Sequence, residues 1–115
     1  MKKILYAEDN AGMRKMVSHY LRSIGFEIVA ITDGDEAIEI AKVEDFDLIL
    51  LDVTMERVDG ISATKTIRGT DNPNKLKPIL GLTGRSEANE IEECMNSGMN
   101  LVLSKPVDLE VLAHS

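Results

Sequence analysis

Five short apolar runs, mostly Leu, Ile and Val, recur along the chain, at 4–7, 27–31, 48–51, 78–82 and 101–104. Between them the apolar positions change to helical spacing. Met13, Met16, Val17, Tyr20, Leu21 and Ile24 fall at i, i+3, i+4, i+7, i+8 and i+11, one stripe on a helix that Gly25 ends. Asp33-Gly34-Asp35-Glu36 opens a second helix with an acidic cap and a glutamate three residues on. A third runs from about 60 to 68 with Ile61, Thr64 and Ile67 inward. A fourth begins near Ser86, buries Ile91, Cys94 and Met95, and stops at Gly98. A last one follows Pro106 and carries Leu109, Val111 and Leu112. Residues 69–77, rich in Asn, Asp, Lys and Pro, read as an exposed loop. Strands that are apolar on both faces and alternate with helices predict an α/β fold, a parallel sheet covered on both sides.

Composition narrows the function. The 115 residues suit one domain, 1–115, and 31 of them are Ile, Leu or Val, enough for a real core. Tyr6, Tyr20, Phe26 and Phe46 are the only aromatics, so no platform for stacking nucleic-acid bases is expected. A net charge of −7 repels phosphate backbones and anionic lipid, which disfavours direct contact with nucleic acid or membrane. The lone cysteine, Cys94, forms no internal disulfide and fits a reducing compartment. No apolar run approaches the roughly 20 residues that span a bilayer, and the four after Lys2-Lys3 are too few for a secretory signal. The expectation is a cytoplasmic domain.

The polar residues that close the strands carry the chemistry. The first strand runs into Glu8-Asp9, the third into Asp52, the fourth into Thr83 and the fifth into Lys105-Pro106. In open α/β sheets ligands bind outside the carboxyl ends of the strands. If the first and third strands are neighbours, Asp9 and Asp52 lie close together. Crowded carboxylates repel and call for a counter-ion, and hard oxygen donors suit Mg²⁺. A lysine and a hydroxyl opposite suit a phosphoryl group. A carboxylate is itself a competent nucleophile for phosphorus. These residues point to a Mg²⁺-dependent phospho-acceptor site. A nucleotide or flavin site fits less well, because Glu8-Asp9-Asn10-Ala11-Gly12 offers no glycine-rich cradle. A phosphatase would need a further acid to activate water.

From end to end the chain resembles a two-component response-regulator receiver domain. The resemblance rests on Leu5-Tyr6-Ala7-Glu8-Asp9-Asn10, Asp47-Leu48-Ile49-Leu50-Leu51-Asp52, Asp52-Val53-Thr54-Met55 with Asp59-Gly60, Leu82-Thr83-Gly84, and Ser104-Lys105-Pro106. It implies a flavodoxin-like (βα)5 three-layer sandwich with strand order 2-1-3-4-5. It also implies that Asp52 takes a phosphoryl group from a phosphohistidine on a histidine kinase or histidine phosphotransfer protein. Mg²⁺ would be held by Glu8, Asp9, Asp52 and the Thr54 backbone carbonyl. Thr83 matches the switch hydroxyl and Lys105 the lysine that pairs with the phosphoryl group. The bond before Pro106 is commonly cis in the family. Arg85 and Thr54 match positions over the phosphoryl group that influence dephosphorylation, and a long cation at Arg85 would shield it from water.

The chain departs from the family in three ways. Glu56 stands where proline is frequent, which makes the loop after Asp52 more acidic. Val102 stands where Tyr or Phe usually swings inward as the threonine moves, so the usual coupling to the face of the fourth helix, fifth strand and fifth helix is not implied here. The last helix is short, ending at Ser115, which fits a domain cut from a longer chain. Gly98-Met99-Asn100 before Leu103-Ser104-Lys105-Pro106 is similar to receivers of hybrid histidine kinases. The acidic surface implies output through a protein effector or a fused domain. A monomer is expected; dimerisation on phosphorylation is common in the family. The alternative is an unphosphorylated pseudo-receiver, a protein-interaction module.

Overall fold

The computed structural model describes residues 2–53, 59–84 and 88–104. Five strands, β1 (Lys3–Ala7), β2 (Glu27–Ile31), β3 (Leu48–Asp52), β4 (Ile79–Thr83) and β5 (Leu101–Ser104), form one parallel sheet in the order β2-β1-β3-β4-β5. Four helices alternate with them: α1 (Ala11–Ser23), α2 (Gly34–Ala41), α3 (Gly60–Gly69) and α4 (Ala88–Ser97). This is the flavodoxin-like arrangement expected. The last helix, and the residues just before Ala88 where the fourth was expected to start, lie outside the described residues.

Strand parity sorts the core into two layers. Leu5, Ala7, Ile49, Leu51, Val53 and Ile79 meet Ala37, Ala41, Ala63, Ile67 and Cys94 of α2, α3 and α4. The alternate residues Ile4, Tyr6, Leu50, Leu80 and Leu82 meet Val17 and Leu21 of α1. Successive strand side chains point to opposite faces, so each strand feeds both layers and reads as a continuous apolar run. β1 leads to β2 in one direction across the sheet, and the later crossovers run in the other. Right-handed crossovers therefore put α1 on one face and α2 to α4 on the other. The order reverses between β1 and β3, which is where such folds open a crevice.

Local signals place the helices. Asn10, Asp33 and Asp59 cap α1, α2 and α3, accepting from the N–H of Met13, Asp35 and Ser62 at 2.9, 3.2 and 2.7 Å. Gly25 and Gly98 end α1 and α4 with φ of 105° and 114°, a region that favours glycine.

Three apolar expectations need correction. Met16, Ile24 and Met95, placed inward by spacing, are 49%, 46% and 45% exposed. Met16 and Met95 each lie one position off the centre of the buried stripe, beside Val17 and Cys94, which are fully buried, and Ile24 follows the last residue of α1. The buried face is narrower than the spacing suggests.

The segment after α3 is also more than an exposed loop. Asn74 is fully buried. Its amide donates to Ala41 O at 2.8 Å and Glu44 O at 2.6 Å, and its Oδ1 accepts from Phe46 N at 2.8 Å. Arg68 fastens the same segment by donating to Lys75 O and Lys77 O at 2.7 Å each, and ties it to the turn between α4 and β5 by donating to Gly98 O and Asn100 Oδ1 at 3.0 and 2.8 Å. Polar side chains here replace the backbone ladder that an irregular segment lacks.

Candidate functional site

Glu8 and Asp9 leave the end of β1, and Asp52 ends β3, its neighbour in the sheet. One carboxylate oxygen from each lies within 4.8 Å of one from each of the other two. Glu8 and Asp52 are 0% and 2% exposed, whereas Asp9 is open to solvent. Two buried carboxylates and an exposed one thus share one pocket of hard oxygen donors, the donor chemistry that Mg²⁺ takes.

Neighbours fix this cluster. Glu8 N donates to Ile31 O at 3.0 Å, which ties the acid to β2. Asn10 N donates to Glu8 Oε2 at 3.3 Å, and Arg14 donates to Glu8 O at 2.8 Å. The Tyr6 hydroxyl donates to Glu8 Oε1 at 3.5 Å, a long contact. Burial, reinforced by the charges of Glu8 and Asp52, pushes the Tyr6 pKa up, so the phenol stays a donor. A strand tyrosine between apolar neighbours reads as core, so no local signal marks Tyr6 as a partner of Glu8.

α3 docks tightly below Asp52. Gly60 N donates to Val53 O at 2.9 Å, and Val53 N donates to Leu82 O at 2.8 Å. A Cβ on Gly60 would lie 2.5 Å from the Asp52 carbonyl oxygen and 3.0 Å from Val53 Cα. Gly60→Ala should therefore lower stability by about 1–3 kcal/mol through overpacking, although alanine is the better helix former. Urea unfolding checks this, and an unchanged midpoint would show that α3 shifts freely.

Thr83 ends β4 at the same sheet edge and is 1% exposed. Its hydroxyl donates to Glu90 Oε1 of α4 at 2.8 Å. An acid in a first helical turn is commonplace, so no sequence signal marks Glu90 as the partner of Thr83. Val102 pairs with Gly81 on the layer facing α2 to α4, half-buried, two residues behind Thr83 on the same side. Thr54, Glu56, Arg85, Lys105 and Pro106 lie outside the described residues. His19 is exposed on α1, as expected, and Cys94 is buried in the core with its thiol pKa raised chiefly by burial.

Residues 4–115 match the response regulator receiver domain family. The sensor protein EvgS of Escherichia coli O157:H7 is 38% identical over 109 residues, 95% of this chain and 9% of that protein. The CAI-1 autoinducer sensor kinase/phosphatase CqsS of Vibrio cholerae serotype O1 is 34% identical over 113 residues, 98% of this chain and 16% of that protein. The chain thus spans a small part of these relatives. Among solved structures, the receiver domain of sensor histidine kinase PA1611 of Pseudomonas aeruginosa PAO1, with a magnesium ion coordinated in its active-site cleft, superposes with a TM-score of 0.89 at 34% identity, covering 98% of this chain and 92% of that one. Vibrio cholerae chemotaxis protein CheY4 gives 0.91 at 34% identity, covering 99% and 94%.

The chain belongs to the response regulator receiver domains of two-component signalling. It is homologous to the receiver segments of sensor kinases, and a phosphoryl-acceptor role is typical of the domain. Among the described residues no helix is long and apolar enough to cross a membrane.

Proposed function

We propose that Asp52 is the phospho-acceptor of this receiver and that Glu8, Asp9 and Asp52, with the Thr54 carbonyl, hold Mg²⁺. The observation that carries this is the gathering of three carboxylates within 4.8 Å at the crevice between β1 and β3. The metal, when bound, would neutralise the crowded carboxylates and the incoming phosphoryl oxygens. One Asp52 carboxylate oxygen forms the new O–P bond as the N–P bond of a phosphohistidine breaks, and the imidazole leaves with the bonding pair. Glu8 stays in place through Tyr6 and Asn10. Thr83 offers a hydroxyl and Lys105 a positive charge to the phosphoryl oxygens.

The donor is a sensor histidine kinase or a histidine phosphotransfer protein, in keeping with the sensor-kinase relatives. The net charge of −7 favours output through a protein effector or fused domain over nucleic acid. The domain acts as a cytoplasmic monomer.

Intact-protein mass after incubation with acetyl phosphate and Mg²⁺ tests this. One added phosphate is expected, and none in a metal-free sample. Failure to take up either phosphate or metal would put a protein-interaction module without phosphotransfer in its place.

A further inference from the structure

The Thr83 hydroxyl is engaged on the opposite face of the sheet from Asp52. Asp52 pairs with Leu82, and Leu82 packs in the α1 layer. Paired residues on neighbouring strands point to the same face, and successive residues to opposite faces. Thr83, one residue on, therefore shares the face of Gly81, where an added Cβ would meet Met99 and Val53 of the α2-to-α4 layer. There the hydroxyl donates to Glu90 at 2.8 Å.

Glu90 is suited to hold it. It sits in the first turn of α4, half-buried, and its own N–H is taken by Asn89 Oδ1 at 3.0 Å. A carboxylate at a helix N-terminus is favoured by the helix dipole. A charged acceptor also holds a hydroxyl proton more strongly than a neutral one. A threonine hydroxyl has a single proton to donate. A phosphoryl oxygen on Asp52 and the Glu90 carboxylate thus compete for that one proton.

We infer that Glu90 is a positioning residue that holds the Thr83 hydroxyl on α4 in the resting state, and that loading of Asp52 draws the proton away and frees the first turn of α4 from β4. The inference rests on Asp52 being the phospho-acceptor. Glu90 then opposes the loaded state, because its bond to Thr83 exists only at rest. No covalent change is involved; one hydrogen bond is exchanged for another.

Beryllofluoride with Mg²⁺, a mimic of the phosphoryl group, provides the test on the full chain. Binding is followed by fluorine NMR. Glu90→Ala should tighten it about fivefold, equivalent to roughly 1 kcal/mol for one lost hydrogen bond. Glu90→Gln keeps an acceptor of the same reach and should tighten it by about twofold at most. In a Thr83→Ala background, Glu90→Ala should change affinity by less than about twofold, since the bond is already absent.

A general effect of removing a negative charge would persist in that background and would overturn the inference. Unchanged or weaker binding by Glu90→Ala would overturn it too. A native chain that bound no beryllofluoride at all would overturn the phospho-acceptor reading itself, and the latch with it. That outcome is distinct, because every variant would then be silent.

Discussion

Asp52→Asn should accept no phosphate from acetyl phosphate, and without Mg²⁺ it should melt about 3–6 °C above the parent. The first effect follows from the chemistry, since an amide oxygen is a far poorer nucleophile for phosphorus than a carboxylate. The second follows from crowding. Three carboxylates lie within 4.8 Å, and two of them are buried. At that separation a like-charged pair costs between about 1 kcal/mol in water and about 3.5 kcal/mol at an effective dielectric of 20. Arg14, which donates to Glu8 O, offsets part of this, so a net relief of about 1 kcal/mol is expected, which corresponds to a few degrees in a domain of this size. Mg²⁺ should reverse the order. At ten times its dissociation constant it adds about 1.4 kcal/mol to the parent and much less to a variant with one charge fewer in the site. Thermal melts with and without Mg²⁺ should therefore cross. A variant that melts below the parent in metal-free buffer would show that the cluster is not strained.

Asn74→Asp should cost about 3–5 kcal/mol, a large share of the 5–15 kcal/mol that holds a domain together. Asn74 is fully buried and spends its amide on Ala41 O and Glu44 O while its oxygen accepts from Phe46 N. Aspartate keeps the acceptor but removes both donors, and it aims a buried charge at two carbonyl oxygens. The group so introduced would have its pKa raised by burial. The native state of the variant then binds a proton more readily than the unfolded state. Its deficit against the parent is full at neutral pH and shrinks as pH falls toward about 4. Urea unfolding at two pH values measures both points. A loss under about 1 kcal/mol at pH 7 would mean that the segment rearranges to solvate the carboxylate.

The strands and helices were legible because each obeys a local rule. A strand buried on both faces must be apolar throughout, so Leu48, Ile49, Leu50 and Leu51 announce β3 without further context. Asp33 and Gly98 mark helix ends because an orphan N–H needs an acceptor and a left-handed turn favours glycine. The edges of the apolar stripes were less legible. Met16 and Met95 are exposed although their spacing places them beside buried neighbours, because how far an apolar stripe extends depends on the width of the layer it meets.

The site was legible in a different sense. Glu8, Asp9, Asp52 and Thr83 stand out because polar residues close apolar strands, and a parallel sheet brings all such ends to one edge. The residue pattern was enough for the five strands, the first four helices, the direction of the strands and the acids at that edge. Folding makes β1 and β3 neighbours, as the receiver resemblance implies but no local pattern does, and so brings one carboxylate oxygen from each of three residues up to 44 positions apart within 4.8 Å. Only the tertiary structure decided that Asn74 is a buried clamp rather than a loop residue, that Tyr6 reaches Glu8, and that Glu90 holds Thr83. The reason is physical. Helix and strand formation answer to periods of two and about four residues, which one sequence displays. A hydrogen bond between side chains on different elements depends on strand order and packing distance, which no local pattern encodes.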